Sequence, residues 1–470
     1  MLRTDFSKSL GVLIVSAFVI YFLGEMITQL YFIVLLGIIW RSRKDYFWVA
    51  IIFIMLNYPG GLFHGGTNKD ATQSLPIYVL GPISFQFSQL FAMMIFVKAL
   101  TRRQSFTFLF RREYQIGAFV FLFLTLVSFF LGVNFESIKN IYFIALSLSL
   151  YYSVLFIFRQ EQDVIQFFKI IFPFAFVALI LQAYTLINEQ QLIALFRPGV
   201  NAVQGIVAGE MTRPIEMSAL LLLCTLGSLY FLASGRYRFK PSYLITVAAI
   251  STLSVILSGT RSWFLAYAGM IIVFIMANRR QLARTVQYVA IGFVFVLVII
   301  NLSGVMAKQF NIAWSRISTI DNVIASGGKD FKRTDERLPK LIEGIKKSTI
   351  VAGAGFGKLY LKYRDAHLGY VNMFFVGGIT GYIFYIYFLA SISGKSMMFA
   401  SQNSLTLANE IRNILLFLVP ILILNTATQF FGFSLGGFTR VFLLALIFAW
   451  LSAKITNEIE TDTSYYSHAS

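Results

Sequence analysis

The chain has 470 residues, of which 57% are hydrophobic and only 13% charged, with mean hydropathy +0.73 and a formal net charge of +18. A soluble domain this apolar would aggregate, which excludes a water-soluble globular protein, and apolar runs of roughly 15 to 25 residues are long enough to cross a ~30 Å hydrocarbon core as helices. The basic excess does not mark a nucleic-acid surface, because most Lys and Arg stand in short clusters between apolar runs.

The predicted fold is all-α: a polytopic transmembrane helical bundle of about 12–14 spans, with one larger external loop domain containing short helices. In chain order the apolar segments fall at about 10–24, 27–40, 45–57, 76–99, 115–132, 139–158, 164–187, 214–233, 241–257, 262–278, 285–306, 367–393, 411–430 and 436–453. No small-residue cleavage site follows the first run, so it is expected to stay as an anchor. Residues 1–306 form the N-terminal part of the bundle and 307–366 the external loop domain; 367–455 form the C-terminal part and 456–470 a polar cytoplasmic tail. The single cysteine, Cys224, lies in an apolar run, so neither an intrachain disulfide nor a cysteine-based metal site is expected.

Alternate loops carry the basic clusters. These are Arg41, Arg43 and Lys44; Lys98, Arg102, Arg103, Arg111 and Arg112; Arg236, Arg238 and Lys240; and Arg279, Arg280 and Arg284. The positive-inside rule places these clusters and both termini in the cytoplasm. By the same alternation, residues 188–213 and 307–366 lie outside.

Within the external segment, Thr334 to Lys347 reads as an amphipathic helix. Leu338, Leu341, Ile342 and Ile345 share one face, and Lys340, Glu343, Lys346 and Lys347 lie mostly on the other. Gly353-Ala354-Gly355-Phe356-Gly357 follows the short run Thr349 to Val351. It lacks the residues of a nucleotide fingerprint. It reads either as a tight turn needing positive φ or as a backbone nest that approaches a phosphate.

Charge at membrane depth is expensive, so each ionisable group there is a functional candidate. Arg213 and Glu216 bracket the start of one helix, where Pro214 suits the first turn. Arg261 stands between two spans joined by almost no loop, and Arg440 opens the last span. They share the outer leaflet with Arg333, Arg337 and Arg364. Guanidinium binds phosphate bidentately and stays charged in a low dielectric, so an anion is the natural common ligand. A snorkelling arginine is the plainer reading of each taken alone.

Of three histidines, His64 lies in a Gly-rich loop and His468 in the polar tail. His367 stands where the polar segment meets an apolar span, and imidazole is the side chain suited to proton transfer near neutral pH. Eleven residues separate it from Gly378, close to three helical turns, which predicts one face for both. Gly378 and Gly381 continue that face as small residues over which a neighbouring helix packs closely.

The order of these features resembles the O-antigen ligase and O-antigen polymerase superfamily of bacterial membrane glycosyltransferases. It comprises an arginine-bearing external helix, then Gly353-x-Gly355-x-Gly357, then His367 and Gly378-x-x-Gly381-Tyr382. Upstream, Ser258-Gly259-Thr260-Arg261-Ser262-Trp263 resembles that family's arginine segment. The likeness runs from about residue 210 to 390. It implies transfer of a glycan from an undecaprenyl-diphosphate carrier to an acceptor hydroxyl at the periplasmic face of the inner membrane. His367 would be the general base, and Arg261, Arg213 and either Arg333 or Arg337 would hold the diphosphate. The partners implied are the lipid-linked glycan, a glycan or lipid A-core acceptor, and membrane lipid; no cofactor, metal or nucleic acid is implied. Leu368 stands where the ligase pattern carries Asn, Ser or Gln, which keeps a polymerase with a lipid-linked acceptor as the alternative. A polytopic transporter or flippase is the reading from a different class.

Overall fold

The computed structural model describes residues 2–63, 76–80, 83–101, 110–158, 160–188, 190–196, 217–235, 239–258, 260–278, 287, 290–292, 294, 297–298, 301, 304–318, 332–365, 368–426 and 438–467. Among the described residues the fold is all-α apart from one two-stranded hairpin. Among the described residues six helices are long and apolar enough to cross a membrane, and five shorter apolar helices accompany them. This is a multi-pass membrane protein.

The helices in chain order are α1 (Leu2–Phe22), α2 (Glu25–Arg41), α3 (Asp45–Leu56), α4 (Phe87–Thr101), α5 (Arg111–Phe130), α6 (Phe135–Ile157), α7 (Glu161–Ile171), α8 (Pro173–Asn188) and α9 (Ser218–Ser234). They continue as α10 (Pro241–Leu257), α11 (Arg261–Ala277), α12 (Gly304–Ser318), α13 (Lys332–Lys347), α14 (Lys358–Tyr363), α15 (Gly369–Asn403), α16 (Leu405–Leu415), α17 (Leu418–Leu424) and α18 (Phe438–Ser467). Most follow the apolar runs. Among those that depart, the expected spans at 164–187 and 411–430 are each divided between two helices, and the expected span at 76–99 begins as an antiparallel hairpin, β1 (Ile77–Leu80) with β2 (Ile83–Gln86), and only then becomes α4. The reason is legible locally. Gly81-Pro82 is a turn dipeptide, and the flanking Ile, Tyr, Val and Phe favour extended backbone.

The chain divides into two compact units, residues 1–100 with 153–317 and residues 101–152 with 318–470. In the first unit the core is helix on helix. The α9 helix is buried along most of its length, and Gly227 lets the Phe168 ring sit where a Cβ would be only 2.3 Å from the ring edge. Helix α9 begins at Ser218 after a left-handed Met217 (φ 62), so it does not run back continuously to Pro214. The expected helix start around Pro214 is therefore corrected to Ser218, and Arg213, Pro214 and Glu216 themselves lie outside the described residues. The new helix end is capped from a distance. Asn57 Oδ1 accepts from the Leu220 amide (3.0 Å) and the Asn57 carbonyl accepts from the Met217 amide (2.8 Å). A side-chain acceptor at this place meets one of the donors that a helix start leaves unpaired.

Lys98 belongs to a basic cluster in the sequence, yet it is only 3% exposed. Its ammonium donates to the carbonyls of Ile39 (2.8 Å) and Ser42 (2.9 Å) and pairs with Asp45. A cation at the C-terminal end of α2 meets the negative end of that helix dipole.

The second unit gathers around a core of Leu124, Leu341, Phe356, Tyr360, Phe375 and neighbouring residues. Leu341 and Ile345 carry the apolar face of α13 into this core, as its periodicity predicts, whereas Ile342, expected on the same face, is exposed. Two ion pairs lie on its helices. Buried Glu113 Oε1 accepts from the partly exposed Lys395 Nζ (2.6 Å) and from Ser391 Oγ (2.5 Å), and Lys454 pairs with Glu410 at 2.6 Å, these last two both almost fully buried.

Candidate functional site

The feature that organises the second unit is a helix broken at a glycine. Gly378 has φ 57 and ψ −155, a region open essentially to glycine, so α15 is two helical pieces and not one. The three-turn face expected to join His367, Gly378 and Gly381 therefore ends at Gly378. Gly381 has nothing within 4 Å of the place a Cβ would occupy, so it makes no close packing contact. What approaches Gly378 is not a neighbouring helix but the Gly-rich loop. A Cβ there would lie 2.5 Å from the Ile350 carbonyl oxygen and 2.6 Å from the Gly353 nitrogen.

The loop satisfies the groups that the break exposes. The amides of Ala354 and Gly355 donate to the carbonyls of Phe375 (2.7 Å) and Val376 (2.9 Å). On the other side of the break, the amides of Ile379 and Thr380 donate to the carbonyls of Ile350 (2.9 Å) and Val351 (3.0 Å). Irregular backbone in an apolar helix persists only where protein groups replace the lost intrahelical bonds. Positive φ at Gly353 (66) and Gly355 (58) makes the tight turn that the sequence suggests. The same bonds decide between the two readings of the loop. The Ala352 amide donates to Thr349 Oγ1, the Gly353 amide to the Thr349 carbonyl, and the Phe356 amide to Ser128 Oγ (2.6 Å). With the amides of 352–356 all donated within the protein, the loop is a crossing turn and not a phosphate nest.

Gly357 passes so close to α5 that a Cβ would lie 2.7 Å from the Gly132 oxygen. The chain then forms α14 and reaches Asp365. The Asp365 amide donates to Asn372 Oδ1 (3.3 Å), the Leu368 amide to the Asp365 carbonyl (3.4 Å), and the Asn372 amide to the Leu368 carbonyl (2.7 Å). Helix α15 starts against the end of α17. Gly369 lies so near that a Cβ would fall 1.9 Å from the Asn425 oxygen, and Tyr370 Oη donates to the Leu422 carbonyl (2.8 Å). Asp365 and Leu368 are thus both tied to the start of α15. Ala366 and His367, between them, lie outside the described residues.

Arg333 and Arg337 stand one turn apart on α13, on one face, though their side chains are outside the described ones. Arg261 opens α11 in the first unit, and its side chain is likewise outside the description. Arg364 caps α14, with its guanidinium 5.8 Å from the centre of the Tyr360 ring. Near it, Lys347 pairs with Glu343 and donates to Tyr363 Oη (2.7 Å), which donates to Glu343 (3.0 Å). The hydrogen bond from Lys347, then that from Tyr363, holds the Glu343 carboxyl below the usual carboxylate value. The reciprocal bond to Glu343, with Tyr363 second, pushes Lys347 up to about 12.

Sequence reasoning passed over Asn372 and Asn425. Both are buried: Asn372 Oδ1 accepts from the Asp365 amide, and the Asn425 carbonyl oxygen lies against Gly369. Their signal was present: a lone amide side chain inside an apolar run is costly unless hydrogen-bonded. Leu368 packs against the aromatic core of the unit, so this position supplies shape and no polar atom. No protein-family model matches the chain, and no curated protein matches it.

Proposed function

We propose that this protein is a membrane glycosyltransferase. It moves a glycan from an undecaprenyl-diphosphate carrier to an acceptor hydroxyl at the periplasmic face, with inversion and without a metal. In this reading His367, neutral, takes the proton of the acceptor hydroxyl as that oxygen attacks the anomeric carbon. The bond to the lipid diphosphate breaks, and guanidinium groups from Arg261, Arg213 and Arg333 or Arg337 stabilise the charge that builds on the leaving oxygen. The bundle is oriented with its termini in the cytoplasm. The single observation that carries the reading is the tethering on both sides of His367 by Asn372. A general base works when its backbone is fixed before substrate arrives, and the described residues on either side of this one, Asp365 and Leu368, are bonded into the start of α15, whose first piece is locked to α17 and to the Gly-rich loop.

A second reading, a polymerase with a lipid-linked glycan acceptor, is favoured by Leu368. Its packing into the core leaves that place without the polar group of the ligase pattern. A transporter or flippase is supported less. A broken helix is a common feature of transport sites, but here the carbonyls of Phe375 and Val376 and the amides of Ile379 and Thr380 are engaged by the chain's own loop.

The test uses the purified full-length protein in lipid vesicles with an undecaprenyl-diphosphate-linked glycan and each acceptor in turn, read by product mass. Wild-type protein should transfer, also in EDTA, and His367→Ala should insert and fold normally yet transfer nothing. Normal transfer by that variant removes the general base. No transfer to any acceptor by the wild-type chain sinks the enzyme reading. Loss in EDTA restored by a divalent ion would reveal a metal step. Arg261→Ala should weaken use of the donor more than Arg261→Lys does.

A further inference from the structure

The tip of the Gly-rich loop is apolar and exposed: Ile350 and Val351 are each 64% accessible. Their carbonyls receive the Ile379 and Thr380 amides, so the tip sits level with the start of the second piece of α15. From that level an exposed apolar stripe runs down α15 through Ile379, Ile383, Ile386 and Met398. Buried Ile392, Ser396 and Ala400 mark the opposite, protein-facing side. Nineteen residues separate Ile379 from Met398, which at ~1.5 Å per residue is about 28 Å. That is one hydrocarbon core, roughly 30 Å thick. The first piece of α15 is different: Gly369, Asn372, Met373, Phe375 and Val376 are buried in protein. Immediately before the tip, α13 ends in exposed Lys346 and Lys347.

We infer that the Ile350–Val351 tip is a lipid contact. It seats at the rim of the acyl-chain region, in the leaflet nearest Gly369, with the α13 lysines at headgroup level. The occupant is bilayer lipid because the tip prolongs, without a gap in backbone bonding, the lipid-facing stripe of a spanning helix. The order of cations then apolar tip also matches the order of headgroup then chain. The loop is therefore a shallow re-entrant element that enters the membrane edge and returns at Gly353, where positive φ turns it back over Gly378. This inference is independent of the catalytic reading.

The experiment places single nitroxide labels on the full-length protein in phospholipid vesicles. Cys224→Ala supplies the background, and the labels enter through Ile350→Cys, Val351→Cys, Ile383→Cys and Lys340→Cys. Collision with oxygen, which concentrates in lipid, is compared with collision with a water-soluble nickel chelate. Oxygen should dominate at 350, 351 and 383, and nickel at 340. Nickel dominance at 350 and 351 with oxygen dominance at 383 overturns the proposal by placing the tip in water. Nickel dominance at all four overturns it together with the lipid-facing stripe. Protection of 350 and 351 from both agents overturns it in favour of a protein cover.

Discussion

In the unit of residues 1–100 and 153–317, a helix end is met by one side chain, as Asn57 meets the start of α9. In the unit of residues 101–152 and 318–470, a helix is interrupted and both broken ends are met by backbone from a crossing loop. The first device tolerates substitution, because removing the Asn57 side chain loses its bonds to the Leu220 amide and the Phe53 carbonyl while the Met217 amide keeps the Asn57 carbonyl and the helix remains. The second depends on two glycines placed back to back. Gly353 and Gly378 each occupy the space where the other's Cβ would fall, so neither can gain a single methyl group.

The sharpest test of that difference is Gly378→Ala. The backbone there is strained for any other residue, at about 1–3 kcal/mol, and overlap with the Ile350 oxygen adds to that. Thermal unfolding in detergent should show loss of the cooperative transition of the second unit. Gly381→Ala, with open space around it, should leave the transition in place and gain up to ~1 kcal/mol from helix propensity. Equal behaviour of the two variants would erase the distinction between crossing point and ordinary helix. The next largest effect is Glu410→Ala, which removes the carboxylate paired with the buried Lys454 and should cost about 3–5 kcal/mol. Joint replacement with Glu410→Leu and Lys454→Met should recover most of the loss, as seen in the same melts. In the first unit Asn57→Ala should cost only about 1–2 kcal/mol, with proteolysis at the start of α9 as a local readout. A larger loss than Glu410→Ala would reverse the ranking of the two units.

The smallest expected effect concerns pH. Glu343 has a depressed pKa, so its contribution is present above the usual carboxylate value of 4.5 and is lost as pH falls through the lowered one. Lys347 has a raised pKa, so its contribution is complete below 10.5 and is lost as pH rises through about 12. Between those limits the pair should leave stability flat, and Glu343→Gln should change it little because both groups are solvent-screened. A melting point that slopes with pH between 5 and 10 in wild type but not in this variant would contradict the assignment.

Most helices were legible because an apolar run long enough to span lipid has few other structures open to it. The α13 face was legible from period alone, and Leu341 and Ile345 take the places that period assigns. The turn at Gly353 and Gly355 was legible in kind, since consecutive alternate glycines favour positive φ. Its partner was not. Gly378 looks like any small residue in a spanning helix, and the bond that breaks the helix comes from a loop some 25 residues earlier. Lys98 shows a related limit: composition counts a charge without seeing the carbonyls that enclose it. Around the candidate site, the contacts that hold Asp365, Leu368 and Gly369 were not legible. Asn372 acts on a backbone amide seven residues earlier, and Asn425 meets Gly369 across the unit; the lone amides in the apolar runs mark the residues but not these partners.

The interlocked glycines also constrain how the chain is made. The loop leaves the ribosome before Gly378 does, and neither strand of the crossing has a complete set of partners until the other arrives. Ser128 and Gly132, which hold the far side of the loop, are synthesised long before either. The crossing therefore closes only once α15 has been made: the earlier helix waits as a template, insertion of α15 and seating of the loop go together, and α16, α17 and α18 are added to the unit afterwards.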